Sequence, residues 1–192
     1  MNKQGNTYTF LYSVVLVVVV AALLSIVSLS LQPRQNENRE NEKRQNILSA
    51  IHVSSTAENS AELFGKYIKE QFIVNAQGEK IEGNAFNVNI EKQYNLPVEK
   101  RELPVFVADV DGAHKYTLPI YGAGLWGPLW GYISLNDNKD TVYGTFFDHQ
   151  GETPGLGAEI TTPAFNEEFR NKQIFSGNRL VGIEVIKGGN AT

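Results

Sequence analysis

Residues 104–122, PVFVADVDGAHKYTLPIYG, decide the reading of the fold. β-Branched and aromatic residues crowd both halves, and the Asp111-Gly112 dipeptide between them is favoured in two-residue hairpin turns. Two β segments joined at that turn are therefore expected. Toward the C-terminus, Leu129–Leu135 alternates through Trp130, Tyr132 and Ser134, and Val142–His149 and Leu180–Ile186 are further strand candidates. A short helix should follow Pro163, with Phe165 and Phe169 one turn apart. Toward the N-terminus, FIVNAQGEKIEG at 72–83 reads as a hairpin turning near Gly78. Before it, Ser54 or Ser55 can cap a helix that carries Leu63, Tyr67 and Phe72 roughly on one face and ends near Gln71. Strands in runs with a few helices make an α+β domain, not an alternating βαβ one.

The first part of the chain obeys different rules. No charged residue occurs from Tyr8 to Leu31, and as a helix this stretch spans about 36 Å, enough to cross a hydrocarbon layer of about 30 Å with some tilt. Tyr8, Phe10 and Tyr12 sit at its start, where aromatic rings favour the interface. Ser28-Leu29-Ser30 offers small residues for signal cleavage, but the apolar run is longer than that of a signal peptide, so an uncleaved anchor is expected. Residues 32–46, QPRQNENRENEKRQN, have almost nothing to bury and read as a solvated stalk. It can be helical through pairs such as Glu40 and Arg44, and can continue into Ile47, Leu48 and Ile51. The expected organisation is a flank over 1–7, a transmembrane helix over 8–31, a polar stalk over 32–53 and one α+β domain over 54–192. Arg34, Arg39, Lys43 and Arg44 follow the helix while Lys3 alone precedes it, so the count of basic residues leans toward a cytoplasmic domain.

Composition narrows the function. The chain has 192 residues, a net charge of −4 and no cysteine. All 21 acidic residues and all but one of the 17 basic ones fall after residue 33, which leaves the soluble part acidic and excludes a basic nucleic-acid footprint. Without cysteine there is no disulfide framework, thiolate nucleophile or cysteine-ligated metal, so redox chemistry has to come from another kind of cofactor. His52, His114 and His149 show no ligand spacing, and Asp148-His149 are neighbours on a strand whose side chains point to opposite faces.

Two glycine-rich segments remain. In Glu152-Thr-Pro-Gly-Leu-Gly-Ala-Glu159, Pro154 and Gly155 fit the central positions of a type II turn starting at Thr153, and Gly157 permits close approach to the backbone. Such a loop suits a planar polar heterocycle, with Leu156 as an apolar contact and the Gly155 and Gly157 amides as donors. From composition alone a plain tight turn is the better reading, and Glu152 and Glu159 are expected to be solvated. In Gly122–Gly131, GAGLWGPLWG, Pro128 separates Trp126 from Trp130, so a kinked entry into a strand is expected in place of a helix. The two indoles suit either a core or a ligand platform. Gly122-x-Gly124 is not followed by the helix a dinucleotide-binding fingerprint requires.

The N-terminal span, the polar stalk, GAGLWGPLWGYISL at 122–135, VYGTFFDHQ at 142–150 and ETPGLGAEI at 152–160 together resemble the NqrC family, the flavin subunits of the bacterial sodium-pumping NADH:quinone reductase. The resemblance implies an FMN-binding domain on the periplasmic side of the inner membrane, partnered by the other subunits of that complex. It also implies FMN fixed through its phosphate to a threonine by a flavin transferase. The related RnfG family, from the Rnf electron-transport complex, shares that chemistry and is the alternative, and a tethered extracytoplasmic binding module with no redox role is another. The implied cofactor contacts are Gly124, Leu125, Trp126, Thr153, Gly155, Leu156 and Gly157, with no catalytic residue and no metal. The family's attachment motif, Ser or Thr-Gly-Ala-Thr-x-Ser or Thr, is absent. Gly189-Asn190-Ala191-Thr192 comes nearest and lacks its order, so Thr192 is not assigned as acceptor. Arg179–Lys187 alternates like a strand, and in the family the threonine-bearing loop follows such a strand and is itself followed by a further helical segment, so the resemblance implies that the natural protein continues beyond Thr192.

Overall fold

The computed structural model describes residues 5–186. Residues up to Asn41 and residues from Glu42 onward form two compact units. Helix α1 (Asn6–Ser49), most of which belongs to the first unit, exposes its apolar side chains from Phe10 to Leu31 and is long and apolar enough to cross a membrane. Pro33 lies inside this helix; its ring cannot donate the usual backbone hydrogen bond, yet the helix continues past it.

The second unit begins with the end of α1, where Ile47 and Leu48 are fully buried, together with Ala50 and Ile51 just beyond. The helix stops in a Schellman arrangement: His52 adopts a left-handed conformation (φ 59°), Val53 N–H donates to Leu48 O at 3.0 Å and His52 N–H to Ser49 O at 3.0 Å. Lys43 covers the adjoining loop, donating through Nζ to the Phe86 and Val88 carbonyls, and burial holds its ammonium below the ordinary lysine range.

Helix α2 (Ser60–Tyr67) runs directly into β1 (Ile68–Val74), followed by β2 (Lys80–Ile81), α3 (Ile90–Tyr94) and four long strands: β3 (Leu103–Val110), β4 (Ala113–Ala123), β5 (Pro128–Leu135) and β6 (Val142–His149). They form one antiparallel sheet in the order β2-β1-β3-β4-β5-β6. A 3-10 turn (Gly157–Thr161), α4 (Pro163–Glu167) and a small hairpin of β7 (Phe175–Ser176) and β8 (Arg179–Leu180) complete the described chain. The core joins Ile47, Leu48 and Ile51 to Ile68, Ile73, Phe106 and Tyr132, with Phe64 edge-on to Phe106. The α+β class expected from the strand runs is the observed one.

Local expectations fare unevenly. Asp111 and Gly112 both have positive φ, 54° and 78°, and link Val110 to its partner Ala113 as a type I′ turn. The β1–β2 hairpin turns at Gly78, φ 81°. The first helix of the domain, however, starts at Ser60 behind the Asn59 cap and ends at Tyr67, so Phe72 lies on a strand and not on a helical face. Residues from Ile68 onward pair with β3, and that ladder outweighs their helical periodicity. The Leu180–Ile186 strand is likewise corrected: only Arg179–Leu180 is paired, with β7, and the rest has no strand partner among the described residues.

Candidate functional site

Chain direction places the two glycine-rich segments side by side. Strands β4 and β5 pair up to Ala123 and Pro128, so Gly124–Gly127 is the tip of their hairpin, closed by Gly124 N–H donating to Gly127 O at 2.7 Å. β5 also pairs with β6, with Leu129 opposite His149, so the chain leaving β6 emerges beside that tip. Gln150 N–H donating to Pro128 O at 3.1 Å continues the ladder past the strand end. Two segments that sequence could associate only by resemblance thus share one end of the sheet.

The Thr153 turn forms as its residues suggest. Leu156 N–H donates to Thr153 O at 3.1 Å and Gly155 has φ 75°, the type II geometry that favours glycine. The Gly155 amide is already engaged, donating to Glu159 Oε1 at 3.1 Å. Thr153, Gly155 and Leu156 are exposed and Gly157 is half-buried.

Glu152 holds the two loops together and corrects the expectation that it is solvated. It is 8% exposed, and its Oε1 accepts the Trp126 N–H at 2.9 Å, across the gap between the loops. Its own N–H donates to His149 Nδ1 at 3.1 Å. A Cβ on Gly124 would collide with Glu152 Oε1, and one on Gly157 would lie 2.5 Å from Oε2. Gly157 therefore leaves room for the carboxyl group, and Gly124 for both the carboxyl and the Gly127 carbonyl, which would lie 2.8 Å from a Cβ there. The sequence carried this signal in the glycines flanking the acid, but an acid beside a glycine turn is ordinarily exposed.

The side chains displayed by the joined loops are apolar and open to solvent: Leu125 is 82% exposed, Trp126 69% and Leu156 73%. Three large apolar groups on two loops pinned by a buried carboxyl do not serve the protein's own core. An exposed indole and two exposed aliphatic side chains offer apolar contact area of the kind that ligand sites use. Trp130 stays within β5, paired with Tyr121 and Asp148, and is half-buried. Asp148 and His149 make no relay; the Asp148 carboxyl accepts the His149 backbone N–H at 2.7 Å. No cluster of His, Asp or Glu suited to a metal ion occurs among the described residues.

An apolar cavity of about 850 Å³ lies beside this site and is not lined by residues 124–126 or 153–157. Phe147, Phe165 and Phe169, packed with ring centroids 5.0–5.7 Å apart, form one wall, and Leu180, Val181 and Val185 form another. Gly189–Thr192, the nearest approach to an attachment motif, lies outside the described residues.

Residues 124–192 match the family described as FMN-binding domain, a match that begins at the hairpin tip and contains both loops. A crystal structure of the NqrC subunit of the Na(+)-translocating NADH-quinone reductase from Parabacteroides distasonis is 46% identical, with a TM-score of 0.79, covering 84% of this chain and 79% of that one. The corresponding Vibrio vulnificus protein is 28% identical over 89% of this chain and 74% of its own length. That of Chlamydia pneumoniae is 33% identical over 73% of this chain and 53% of its own.

Proposed function

Because the chain belongs to the NqrC family of Na(+)-translocating NADH-quinone reductase subunits, we propose that it is the membrane-anchored flavin subunit of such a complex and holds FMN between its two glycine-rich loops. The flavin supplies the electron-carrying chemistry; the protein supplies its position and surroundings. Trp126, Leu125 and Leu156 offer apolar contact to the ring. Gly124, Gly155 and Gly157 keep the backbone clear of Cβ atoms, and Thr153 brings a hydroxyl to the exposed turn. The observation that carries this reading is the bond from the Trp126 amide to Glu152, which ties together two loops that expose apolar side chains inside the stretch matching the FMN-binding family.

The protein works with the other subunits of the reductase at the membrane, and α1 is its anchor. We place the domain on the periplasmic side, following the family against the basic-residue count, since long domains cross largely irrespective of flanking charge. Threonyl-phosphoester attachment by a flavin transferase belongs to this reading as the family's chemistry. The Ser or Thr-Gly-Ala-Thr-x-Ser or Thr motif does not occur within residues 1–192.

Titration of the purified protein with FMN, followed by quenching of flavin fluorescence, tests the reading. Saturable binding that weakens in Trp126→Ala supports it, and absence of binding defeats it. On a denaturing gel the 192-residue chain should show no ultraviolet-excited flavin band, even after co-expression with a flavin transferase. Protease added to intact spheroplasts should digest the domain; a protected domain would reverse the orientation.

A further inference from the structure

We propose that Glu152 is a positioning residue: its buried carboxyl group sets the spacing between the Gly124–Gly127 tip and the Thr153–Gly157 turn, and so fixes how the two loops grip the flavin. This rests on the reading of those loops as the FMN site. Three observations converge on it. Glu152 is 8% exposed although its neighbours Gly151 and Thr153 are exposed, so the fold turns it inward against the ordinary preference of an acid. Its Oε1 takes the Trp126 amide, tethering the residue whose indole is displayed at the site. Its Oε1 would collide with a β-carbon on residue 124 and its Oε2 would lie 2.5 Å from one on residue 157, and both of those residues are glycine.

The carboxyl is thus a spacer with a tether. One oxygen bonds across the gap and faces Gly124, and the other fills the space beside Gly157. Its own backbone is held from behind by the bond to His149 Nδ1 at 3.1 Å. A side chain that reaches a ligand only through the backbone it holds should change the ligand's geometry, and a displacement of about 1 Å in such a site can change its performance by up to about a hundredfold.

The test compares wild type, Glu152→Ala, Glu152→Gln and Gly157→Ala by hydrogen exchange at the Trp126 amide, FMN affinity, visible circular dichroism of the bound flavin and unfolding in urea. Removal of the carboxyl in E152A should speed exchange at Trp126, weaken FMN by about tenfold or more and alter the dichroism of the flavin that still binds. E152Q keeps an oxygen for the Trp126 amide and the volume of the spacer, so it should recover most of the affinity and the wild-type dichroism. G157A, which crowds the carboxyl while leaving every displayed side chain intact, should reproduce the altered dichroism, and it stands in for E152A if that variant does not fold. Wild-type affinity and dichroism in E152A or G157A would overturn the inference while leaving the FMN site in place. Loss in E152Q equal to that in E152A would overturn it as well, by showing that spacing and tether are insufficient. Failure of the wild-type protein to bind FMN would remove the reading beneath it, and the inference with it.

Discussion

Strand β4 ends in two turns of opposite character. At its N-terminal end, Asp111-Gly112 is a two-residue type I′ turn in which both residues have positive φ and the Asp109 carboxyl accepts the Gly112 N–H at 2.9 Å. At its C-terminal end the tip takes four residues, places Leu125 and Trp126 in solvent and borrows a carboxyl from 26 residues further along the chain. The first turn satisfies every local rule for reversing a chain and displays nothing. The second sets large apolar groups where local rules would put polar ones, and a distant residue secures it. Local inconsistency of that kind marks a place shaped for something other than folding.

The largest effects should come from the displayed side chains. Trp126→Ala and Leu156→Ala should each weaken FMN binding by roughly ten- to a hundredfold, the equivalent of losing about 1.4 to 2.8 kcal/mol of contact. In the flavin-free protein, stability should change by no more than about 0.5 kcal/mol, because both side chains are mostly exposed. Urea unfolding and flavin titration on the same samples check this; a stability loss matching the affinity loss would make the C-terminal tip an ordinary structural turn. The reverse pattern belongs to the other end. Gly112→Ala meets no atom within 4 Å, yet must hold φ 78°, so it should cost about 1–2 kcal/mol of stability with FMN affinity unchanged. A change in affinity would show that the two ends of β4 are coupled. Smaller again, Asp109→Ala removes one acceptor at a solvent-exposed turn and should cost about 0.5–1 kcal/mol, again without an effect on flavin.

The same contrast separates what could be read in advance from what could not. Asp111-Gly112, Gly78 and the Val142–His149 strand were legible because turn chemistry and alternation act within a few residues. Pro154-Gly155 announced its turn for the same reason. Where pairing with a distant segment decides, local pattern fails. Ile68 to Phe72 continues a helical periodicity yet joins β3, and Val181–Ile186 has the composition of a strand but no partner among the described residues. Glu152 belongs to this second class. Its burial depends on the β5–β6 ladder bringing the tip beside it, which no window around residue 152 contains. The residues displayed at the site were identified through resemblance; their joining through Glu152 appears only in three dimensions.

The order of the strands bears finally on how such a site comes into being. From β3 to β6 each strand pairs with the next in sequence, so the tip and the Thr153 turn are separated by one strand, one short connection and a second strand. Closing a loop of that size carries a modest entropic cost, and contacts close in sequence form early and quickly. The two glycine-rich loops are therefore brought together by the pairing of β4, β5 and β6 alone, without any contribution from the helical part of the domain. A loop pair assembled by nearest-neighbour strand pairing of this kind needs only that local meander to take its shape.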